Sequence, residues 1–371
     1  TTEIYTLSLH DALPICMNLR LESVNPVAEE LKKFETELPI SQASTMPSSW
    51  YLNDEFFQLE KTAIFHNTWQ CVARIDQLNE PGAYITLNLA GEPLLVLRDS
   101  EGELRAFANV CRHKAARLAC NTEGNAKVLQ CRYHGWSYDL KGHLKGAPEF
   151  SDVSDFDKNQ IKLPTYHVDS WGPFVFVHLG KPEVSLVEYL DPFIALHNEQ
   201  DLKKLNFVQR KEYILNCNWK VFNDNYLDGG YHVNTIHPSL SGVVNYSEYT
   251  TELFKSASVQ VSPLKEGDVS NVRSGDKAYY WWLFPNFMIN MYEGYLDTHY
   301  VLPLSVDRCR VVFDFYFSDT EGDEMKALIK ESIEVAEQIQ QEDIAISEDV
   351  QLGLNSSTYD TGRLSAKREH G

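Results

Sequence analysis

Two short pairs of potential metal ligands lie close together in the first half of the chain. One pair is Cys111 and His113, and the other is Cys131 and His134. Thiolates and imidazoles bind soft and borderline metals, so one interpretation is a tetrahedral zinc site that uses all four side chains. The other is a two-iron, two-sulfide cluster with both cysteines on one iron and both histidines on the other. Because zinc sites more often contain a C-x-x-C pair, the mixed pairs favour the cluster.

A second group of potential ligands lies in the second half of the chain. His232 and His237 are five residues apart, and a regular helix would direct their side chains about 140° away from each other. Gly229-Gly230 before the pair and Pro238 after it permit an interruption of the helix. Such an interruption would allow both rings to reach one metal ion.

A carboxylate completes this group if residues 334–354 form a helix. Asp343 then falls on an apolar stripe at 3-4-3-4 spacing, whose other members are Ala336, Ile339, Ile346 and Val350. A carboxylate on a buried face is costly unless a cation or hydrogen bonds receive it. A salt bridge is one explanation. A metal site is the other, because two histidines and one carboxylate form the facial triad of non-haem Fe(II) oxygenases.

The elements that position these residues change in type along the chain. Amphipathic helices are predicted over Pro26–Leu38 and Asn53–Phe65. Short alternating runs separated by glycine and proline turns predict a small all-β domain from Trp69 to about Leu179. Mixed strands and helices are predicted beyond it, followed by a long helix from about Glu324 to Gly353.

The predicted boundaries divide the chain into four parts. Residues 1–16 lack the features of a signal peptide and resemble translated adapter sequence, with Met17 as the expected native start. Residues 17–45 are predicted to be an N-terminal helical segment. The β domain is predicted over 46–182 and the mixed domain over 183–371.

Composition excludes several classes of function. The 371 residues include 33 Lys and Arg against 53 Asp and Glu, a formal net charge of −20. We therefore expect no binding to nucleic acid or to an anionic membrane. No apolar run is long enough to span a membrane. Seven cysteines, an odd number, without a secretory signal predict a reducing compartment, so we expect a cytoplasmic protein.

The two ligand groups together resemble those of the α subunits of Rieske non-haem iron oxygenases, in the aromatic-ring-hydroxylating dioxygenase superfamily. The resemblance covers nearly all of residues 51–368. It implies an α+β fold, with an all-β Rieske [2Fe–2S] domain and a catalytic domain whose helices wrap an antiparallel sheet. It implies that the cluster is held by Cys111, His113, Cys131 and His134, and that Fe²⁺ is bound by His232, His237 and Asp343.

The resemblance also implies partners. The family usually assembles as a head-to-tail homotrimer, in which electrons pass from the cluster of one subunit to the iron of the next. The electrons come from NAD(P)H through a reductase or a ferredoxin. Two electrons and O₂ would then hydroxylate a C–H bond of a small substrate.

One position departs from the family pattern. The family typically has an acidic residue three positions before the first histidine ligand, which connects cluster and iron across the subunit interface. Here that position is Gly229, whereas Asp228 is one residue earlier and Asp224 earlier still. We predict that Asp228 is the electron bridge. The alternative is a carboxylate that only ends a helix or stabilises a turn.

Two segments, residues 218–233 and 284–303, resemble choline monooxygenase and related quaternary-ammonium oxygenases. Aromatic side chains are concentrated in and beside the second segment, and aromatic faces attract trimethylammonium groups. The alternative is that most of them only pack a sheet. The candidate substrate residues are Tyr292 and Tyr295 first, then Trp281, Trp282 and Phe284. The expected reaction converts choline to betaine aldehyde hydrate, a step of glycine betaine biosynthesis.

Other functions remain compatible with parts of the sequence. Within the family, the alternatives are a carnitine or glycine betaine oxygenase and an aromatic ring-hydroxylating dioxygenase. A Rieske ferredoxin-like electron carrier is the alternative from another class, although a carrier needs no open iron site. A structural zinc protein is the remaining alternative, and it predicts colourless protein.

Overall fold

The described chain folds into two compact units. The structure is a computed structural model that describes residues 26–265 and 275–371. One unit is Phe65–Tyr189, and the other combines the described residues up to Ile64 with Leu190–Gly371. The predicted leader over residues 1–16 lies outside the described residues.

Three short helices precede the first unit: α1 (Pro26–Leu31), α2 (Ser49–Leu52) and α3 (Asp54–Glu60), the last continued by a π-helical turn over Lys61–Phe65. The side chain of Asn53 caps α3 by accepting a hydrogen bond from the Glu55 N–H, at 2.7 Å. The first helix is shorter than the predicted 26–38. The chain turns after it, and Phe34 packs against Trp50 with ring centroids 5.3 Å apart.

The unit over Phe65–Tyr189 consists mainly of antiparallel strands. They are β1 (Gln70–Arg74), β2 (Ala83–Leu89), β3 (Glu92–Arg98), β4 (Leu104–Ala108), β5 (Glu123–Asn125), β6 (Leu129–Gln130), β7 (Ser137–Tyr138), β8 (Leu144–Gly146), β9 (Thr165–Trp171) and β10 (Phe174–His178). Seven form a sheet in the order β1-β10-β9-β4-β3-β2-β5, and β6, β7 and β8 form a second sheet. Short 3₁₀ helices cover Ile75–Leu78 and Lys158–Gln160, and α4 (Leu186–Tyr189) ends the unit.

The other unit contains a second seven-stranded antiparallel sheet. Its strands are β11 (Asn206–Leu215), β12 (Thr250–Leu253), β13 (Ala257–Pro263), β14 (Lys277–Leu283), β15 (Phe287–Tyr292), β16 (Tyr295–Ser305) and β17 (Arg308–Phe317). Their order is β11-β17-β16-β15-β14-β13-β12. The α+β fold class is therefore confirmed.

The remaining helices of this unit come before, between and after these strands in the sequence. They are α5 (Asp191–Leu196), α6 (Glu199–Leu202), α7 (Trp219–Leu227), α8 (Val233–Ile236), α9 (Pro238–Ser241) and α10 (Asp323–Leu354), with a 3₁₀ turn at Tyr246–Glu248. The long helix α10 begins one residue before its predicted start and ends one residue after its predicted end. Its buried line is more polar than the predicted stripe: Gln340, Ser347 and Gln351 are buried, whereas Val350 is 44% exposed.

Residues 46–64 fold with the second unit, whereas the sequence assigned them to the β domain. A buried ion pair explains this difference. Lys220 Nζ lies 2.5 Å from Glu60 Oε1, and both side chains are at most 5% exposed. The Trp219 indole N–H donates to the other oxygen of Glu60, at 2.8 Å. The structure also divides the chain after Tyr189, seven residues beyond the predicted boundary at 182.

Breaking this pair should strongly destabilise the unit. We expect Glu60→Leu and Lys220→Met each to lower the free energy of unfolding by about 3–5 kcal/mol, because each leaves one buried charge without its partner. The double variant should lose less than the sum of the two. Urea denaturation of the four proteins measures this coupling, and strictly additive losses would contradict it.

Candidate metal centres

The two cysteine–histidine pairs lie on two loops of the β-rich unit that share one backbone conformation. In each loop, the N–H four residues after the cysteine donates to the cysteine carbonyl, at 3.0 Å: Ala115 to Cys111, and Gly135 to Cys131. Ala115 and Gly135 both have a positive φ, +58° and +74°. The same turn therefore follows each cysteine, with the histidine inside it two residues after Cys111 and three residues after Cys131.

These loops bring the four predicted side chains together. The His113 and His134 rings are 4.6 Å apart, and both cysteines are 2% exposed. The His113 ring stacks on Trp136, with centroids 5.0 Å apart and planes at 9°. Its Nδ1 atom is buried and makes no hydrogen bond. A buried imidazole nitrogen without a partner is unfavourable, and ligation to a metal would satisfy it, so the residues fit a [2Fe–2S] cluster.

The surroundings of Cys111 and His134 affect their hydrogen bonding and protonation. The Tyr138 hydroxyl lies 3.4 Å from Cys111 Sγ and accepts a hydrogen bond from the Arg112 N–H, at 3.0 Å. Burial, and then the contact with Cys111, raise the pKa of Tyr138 well above its ordinary value, so the hydroxyl keeps its proton. Desolvation, and then the neighbouring His113 and Lys114, lower the pKa of His134. The neutral imidazole that a metal requires is thus favoured.

Removing one cysteine should abolish the cluster alone. We expect Cys131→Ser to lose the acid-labile sulfide and two of the three irons per chain, because a two-iron cluster with one cysteine missing lacks a thiolate ligand. The mononuclear iron should remain, since its ligands lie in the other compact unit. Iron and sulfide analysis with the visible spectrum measures both. Half-buried Cys120, outside the four predicted ligands, provides the control Cys120→Ser. Sulfide retained by Cys131→Ser would contradict the assignment.

The second ligand group forms where helix α7 ends. Gly229 and Gly230 follow with φ of +69° and +70°, and His232 and His237 flank the single turn α8. The predicted interruption of the helix is therefore present. It places the two imidazole rings 4.9 Å apart at 80°, which a continuous helix would not allow.

Helix α10 supplies the third member of this group. The Asp343 Oδ1 atom lies 3.1 Å from His237 Nε2 and 3.9 Å from His232 Nε2. One donor atom from each of the three residues lies within 4.8 Å of the other two. Two imidazoles and one carboxylate converging in this way fit a mononuclear Fe²⁺ ion with open coordination positions.

A carboxylate contacts the Nδ1 atom of each histidine, on the side of the ring away from Asp343. His232 Nδ1 lies 2.6 Å from Asp228 Oδ2, and His237 Nδ1 lies 2.7 Å from Glu342 Oε2. A proton on each Nδ1, shared with a carboxylate, leaves each Nε2 free to bind a metal. Burial lowers the pKa of His237, but the Asp343 and Glu342 carboxylates outweigh this effect and raise it overall. A cation bound at this site would therefore displace a proton.

The sequence did not identify two residues of this arrangement. Glu342 follows no apolar stripe or motif, and only the structure shows that it contacts His237. Asn225, in helix α7, donates its amide to Asp343 Oδ1 at 2.7 Å. An asparagine in a helix carries no signal of such a role.

The structure shows why position 229, three residues before His232, is a glycine. A Cβ atom at Gly229 would lie 2.1 Å from the Arg368 carbonyl oxygen. No carboxylate could stand there without moving the chain. Asp228 instead accepts hydrogen bonds from the backbone N–H groups of Tyr231 and His232, each at 3.0 Å, and contacts the His232 ring.

The structure separates the five candidate substrate residues. Successive strand residues face opposite sides of a sheet. Tyr292, Tyr295 and Trp282 share the face that contacts helix α7, whereas Trp281 points to the other face, where its indole N–H donates to His197 at 2.8 Å. Trp281 is therefore separated by the sheet from the other three, and a role for it in substrate binding stays a prediction. Phe284 lies beyond the end of β14 and packs edge-on against Trp282.

The fold and the two ligand groups together define a Rieske-type oxygenase. Residues 68–166 match the family described as "Rieske [2Fe-2S] domain", and residues 202–371 match "Ring hydroxylating alpha subunit (catalytic domain)". The chain belongs to the Rieske non-haem iron oxygenases. It consists of a [2Fe–2S] domain and an oxygenase domain with a mononuclear iron.

Relatives of known activity support this assignment. The chain is 37% identical to a choline monooxygenase of Arabidopsis thaliana, over 93% of this chain and 84% of the relative. It is 31% identical to the carnitine monooxygenase oxygenase subunit of Escherichia coli (strain K12), over 88% of each.

Solved structures show the same architecture. A quaternary ammonium Rieske monooxygenase superposes with a TM-score of 0.80 at 28% identity, over 89% of this chain and 93% of the other. Naphthalene 1,2-dioxygenase from Rhodococcus sp. has a TM-score of 0.72 at 19% identity, over 88% and 91%, and shares the fold. Among the described residues, no helix has both the length and the apolar character needed to cross a membrane.

Proposed function

We propose that this oxygenase hydroxylates a small quaternary ammonium compound, and that choline is the first candidate. The observation that carries the proposal is a tyrosine wall formed by Tyr249, Tyr280, Tyr292 and Tyr295. It runs from Gly230, two residues before His232, along the sheet face that contacts helix α7. Its predicted members Tyr292 and Tyr295 stack with centroids 5.7 Å apart. Aromatic faces attract trimethylammonium groups by about 0.5–2 kcal/mol each. Relatives that act on choline and on carnitine support the same class of substrate.

In this proposal the two ligand groups have separate tasks. Cys111, His113, Cys131 and His134 hold the cluster, and His232, His237 and Asp343 hold Fe²⁺. When bound, the iron supplies the O₂ chemistry and the cluster supplies electrons one at a time. The protein residues orient both. Asp228 and Glu342 fix the histidine rings, and Asn225 fixes the Asp343 carboxylate.

The proposal includes a head-to-tail homotrimer with Asp228 as the electron bridge. His134 is exposed at the tip of the cluster loops, and Asp228 lines an open cavity of about 280 Å³ in the other unit. Apolar side chains line this cavity, including Ile346 and Val350. An exposed apolar surface next to a carboxylate suits a docked cluster domain from a neighbouring copy. Inter-subunit electron transfer in the quaternary ammonium Rieske monooxygenase of the same fold supports this arrangement.

The remaining partners follow from the same proposal. Electrons come from NAD(P)H through a reductase or a ferredoxin, and the substrates are O₂ and the cation. We retain the cytoplasm, or another reducing compartment, as the proposed location. With choline, attack at the carbinol carbon consumes O₂, two electrons and two protons, and gives betaine aldehyde hydrate and water.

A single turnover tests the proposal without knowledge of the electron donor. Cluster- and iron-loaded protein is reduced chemically, freed of reductant, and mixed with choline and O₂. We expect product approaching the amount that the stored electrons allow. Carnitine and glycine betaine run in parallel assign the substrate within the class. Product from an aromatic acid, with none from the three cations, would contradict the proposed substrate class and leave the oxygenase assignment standing.

A further inference from the structure

A buried carboxylate lies on the sheet face that contacts helix α7, and no role has been assigned to it. Asp297, in strand β16, is 2% exposed. Its carboxylate accepts hydrogen bonds from the Tyr295 hydroxyl at 2.6 Å and from the Asn290 amide at 2.9 Å, and lies 2.8 Å from His299 Nε2. Within the described residues, no lysine or arginine pairs with it. A buried carboxylate ordinarily requires a cation or a full set of hydrogen bonds.

A neighbouring carboxylate shows the usual solution. Asp314, on the adjacent strand β17, is completely buried and faces the opposite side of the sheet. Arg210 binds it through two hydrogen bonds of 2.7 Å. The same sheet therefore neutralises one buried aspartate with a guanidinium and leaves the other without one.

The neighbouring histidine is a poor substitute for that cation. His299 stacks on Phe313 with centroids 3.7 Å apart, and its Nδ1 atom is buried without a hydrogen-bond partner. A protonated ring would bury an unbonded, charged N–H at that position. A neutral ring that donates from Nε2 to Asp297 avoids this cost.

Helix α7 connects this carboxylate to the iron ligands. The Tyr226 hydroxyl donates to Asn290 Oδ1 at 2.8 Å, and the same asparagine donates to Asp297. The residue before Tyr226 is Asn225, which donates to Asp343. Consecutive Cα atoms are about 3.8 Å apart, so the two hydrogen-bonded groups begin next to each other on one helix.

The tyrosine wall also extends from the iron ligands to Asp297. Tyr249 packs against Gly230, two residues before His232. Its ring centroid lies 6.1 Å from that of Tyr280. The Tyr280 and Tyr292 hydroxyls are 2.8 Å apart. Tyr292 stacks on Tyr295, whose hydroxyl binds Asp297. Aromatic faces and a carboxylate each attract a cation, and neither favours a neutral group of equal size.

We propose that Asp297 is the specificity-determining carboxylate of the substrate site. It supplies the negative charge that selects a trimethylammonium group over a neutral group of the same shape. This inference rests on the proposed function, since it concerns the cation that the oxygenase takes. The bound cation would offset the charge that the protein leaves unpaired.

The test compares choline with 3,3-dimethylbutan-1-ol, which replaces the charged nitrogen with carbon. Dissociation constants are measured by calorimetry on cluster- and iron-loaded protein without O₂. We expect the wild type to prefer choline, and Asp297→Asn to reduce this preference about tenfold or more. Exposed Asp307→Asn removes the same charge from the chain and should keep the preference.

Thermal unfolding separates this role from a structural one. Without ligand, Asp297→Asn should still fold cooperatively, because the variant removes a buried charge that has no cationic partner and keeps one oxygen acceptor. An unchanged preference for choline in Asp297→Asn would overturn the inference and leave the proposed function intact. Failure of Asp297→Asn to fold would overturn it too, since the charge would then serve the fold. A wild type that does not prefer choline would overturn both the substrate class and the inference.

Discussion

Asp228→Asn is expected to retain both metal centres and to form product at least about 100-fold more slowly in a single turnover. The Asp228 carboxylate lies 2.6 Å from His232 Nδ1 and lines the open cavity, as the proposed electron bridge requires. Replacing a carboxylate behind a metal-binding histidine typically costs 10–100-fold in metal affinity or activity. Loss of the electron path adds to that cost.

The measurement must separate electron transfer from metal loss. Iron and sulfide analysis establishes that the variant is fully loaded, and reoxidation of the cluster after mixing with substrate and O₂ is followed by its visible spectrum. Asp224→Asn is the matched control, because Asp224 lines the same cavity but bonds to Tyr51 instead of a histidine. Wild-type reoxidation in loaded Asp228→Asn would exclude Asp228 as the bridge.

Gly229→Ala is expected to abolish iron binding and lower the melting temperature by several degrees. The added Cβ would lie 2.1 Å from the Arg368 carbonyl oxygen, and a backbone atom cannot rotate away as a side chain does. The φ of +69° adds about 1–2 kcal/mol for a residue with a Cβ. The backbone between Asp228 and His232 must then shift. Such a shift disturbs the contact by which the Asp228 carboxylate orients the His232 ring.

Alanine substitutions at two other glycines serve as comparisons for Gly229→Ala. Gly230→Ala should be milder, because its Cβ would meet the Tyr249 ring at 3.0 Å instead of a backbone atom. Gly353→Ala, in helix α10 with no atom within 4 Å of the new Cβ, should be neutral or stabilising by up to about 1 kcal/mol. Metal analysis and thermal unfolding of all three variants are the measurements. A Gly229→Ala protein with wild-type iron content would show that the turn tolerates a side chain.

Much of the site could be predicted from sequence, because its ligands are local. The cluster pairs span three and four residues, and the two histidines share one short segment, so spacing carries the information. Asp343 was identified through its place in a long helix, and that helix was predicted to within one residue at each end. Each of these features depends on a few neighbouring positions.

The features that the sequence did not resolve depend on contacts that are remote in sequence. Trp281 and Trp282 are adjacent and chemically alike, and only the strand alternation within the folded sheet shows which one faces helix α7. The pairing of Glu60 with Lys220 spans 160 residues and moves residues 46–64 into the other unit. Asp297 could not be identified from sequence, because a sequence does not show that no lysine or arginine of the described residues pairs with this buried carboxylate.

The division of the chain also has a consequence for its synthesis. The β-rich unit is inserted, in sequence order, between two parts of the catalytic unit. A ribosome therefore completes the cluster-binding loops while Glu60 still lacks Lys220, which emerges later with the first catalytic strand and helix. The catalytic unit closes only when helix α10, near the end of the chain, delivers Asp343. The cluster domain can thus mature first, and the iron site last.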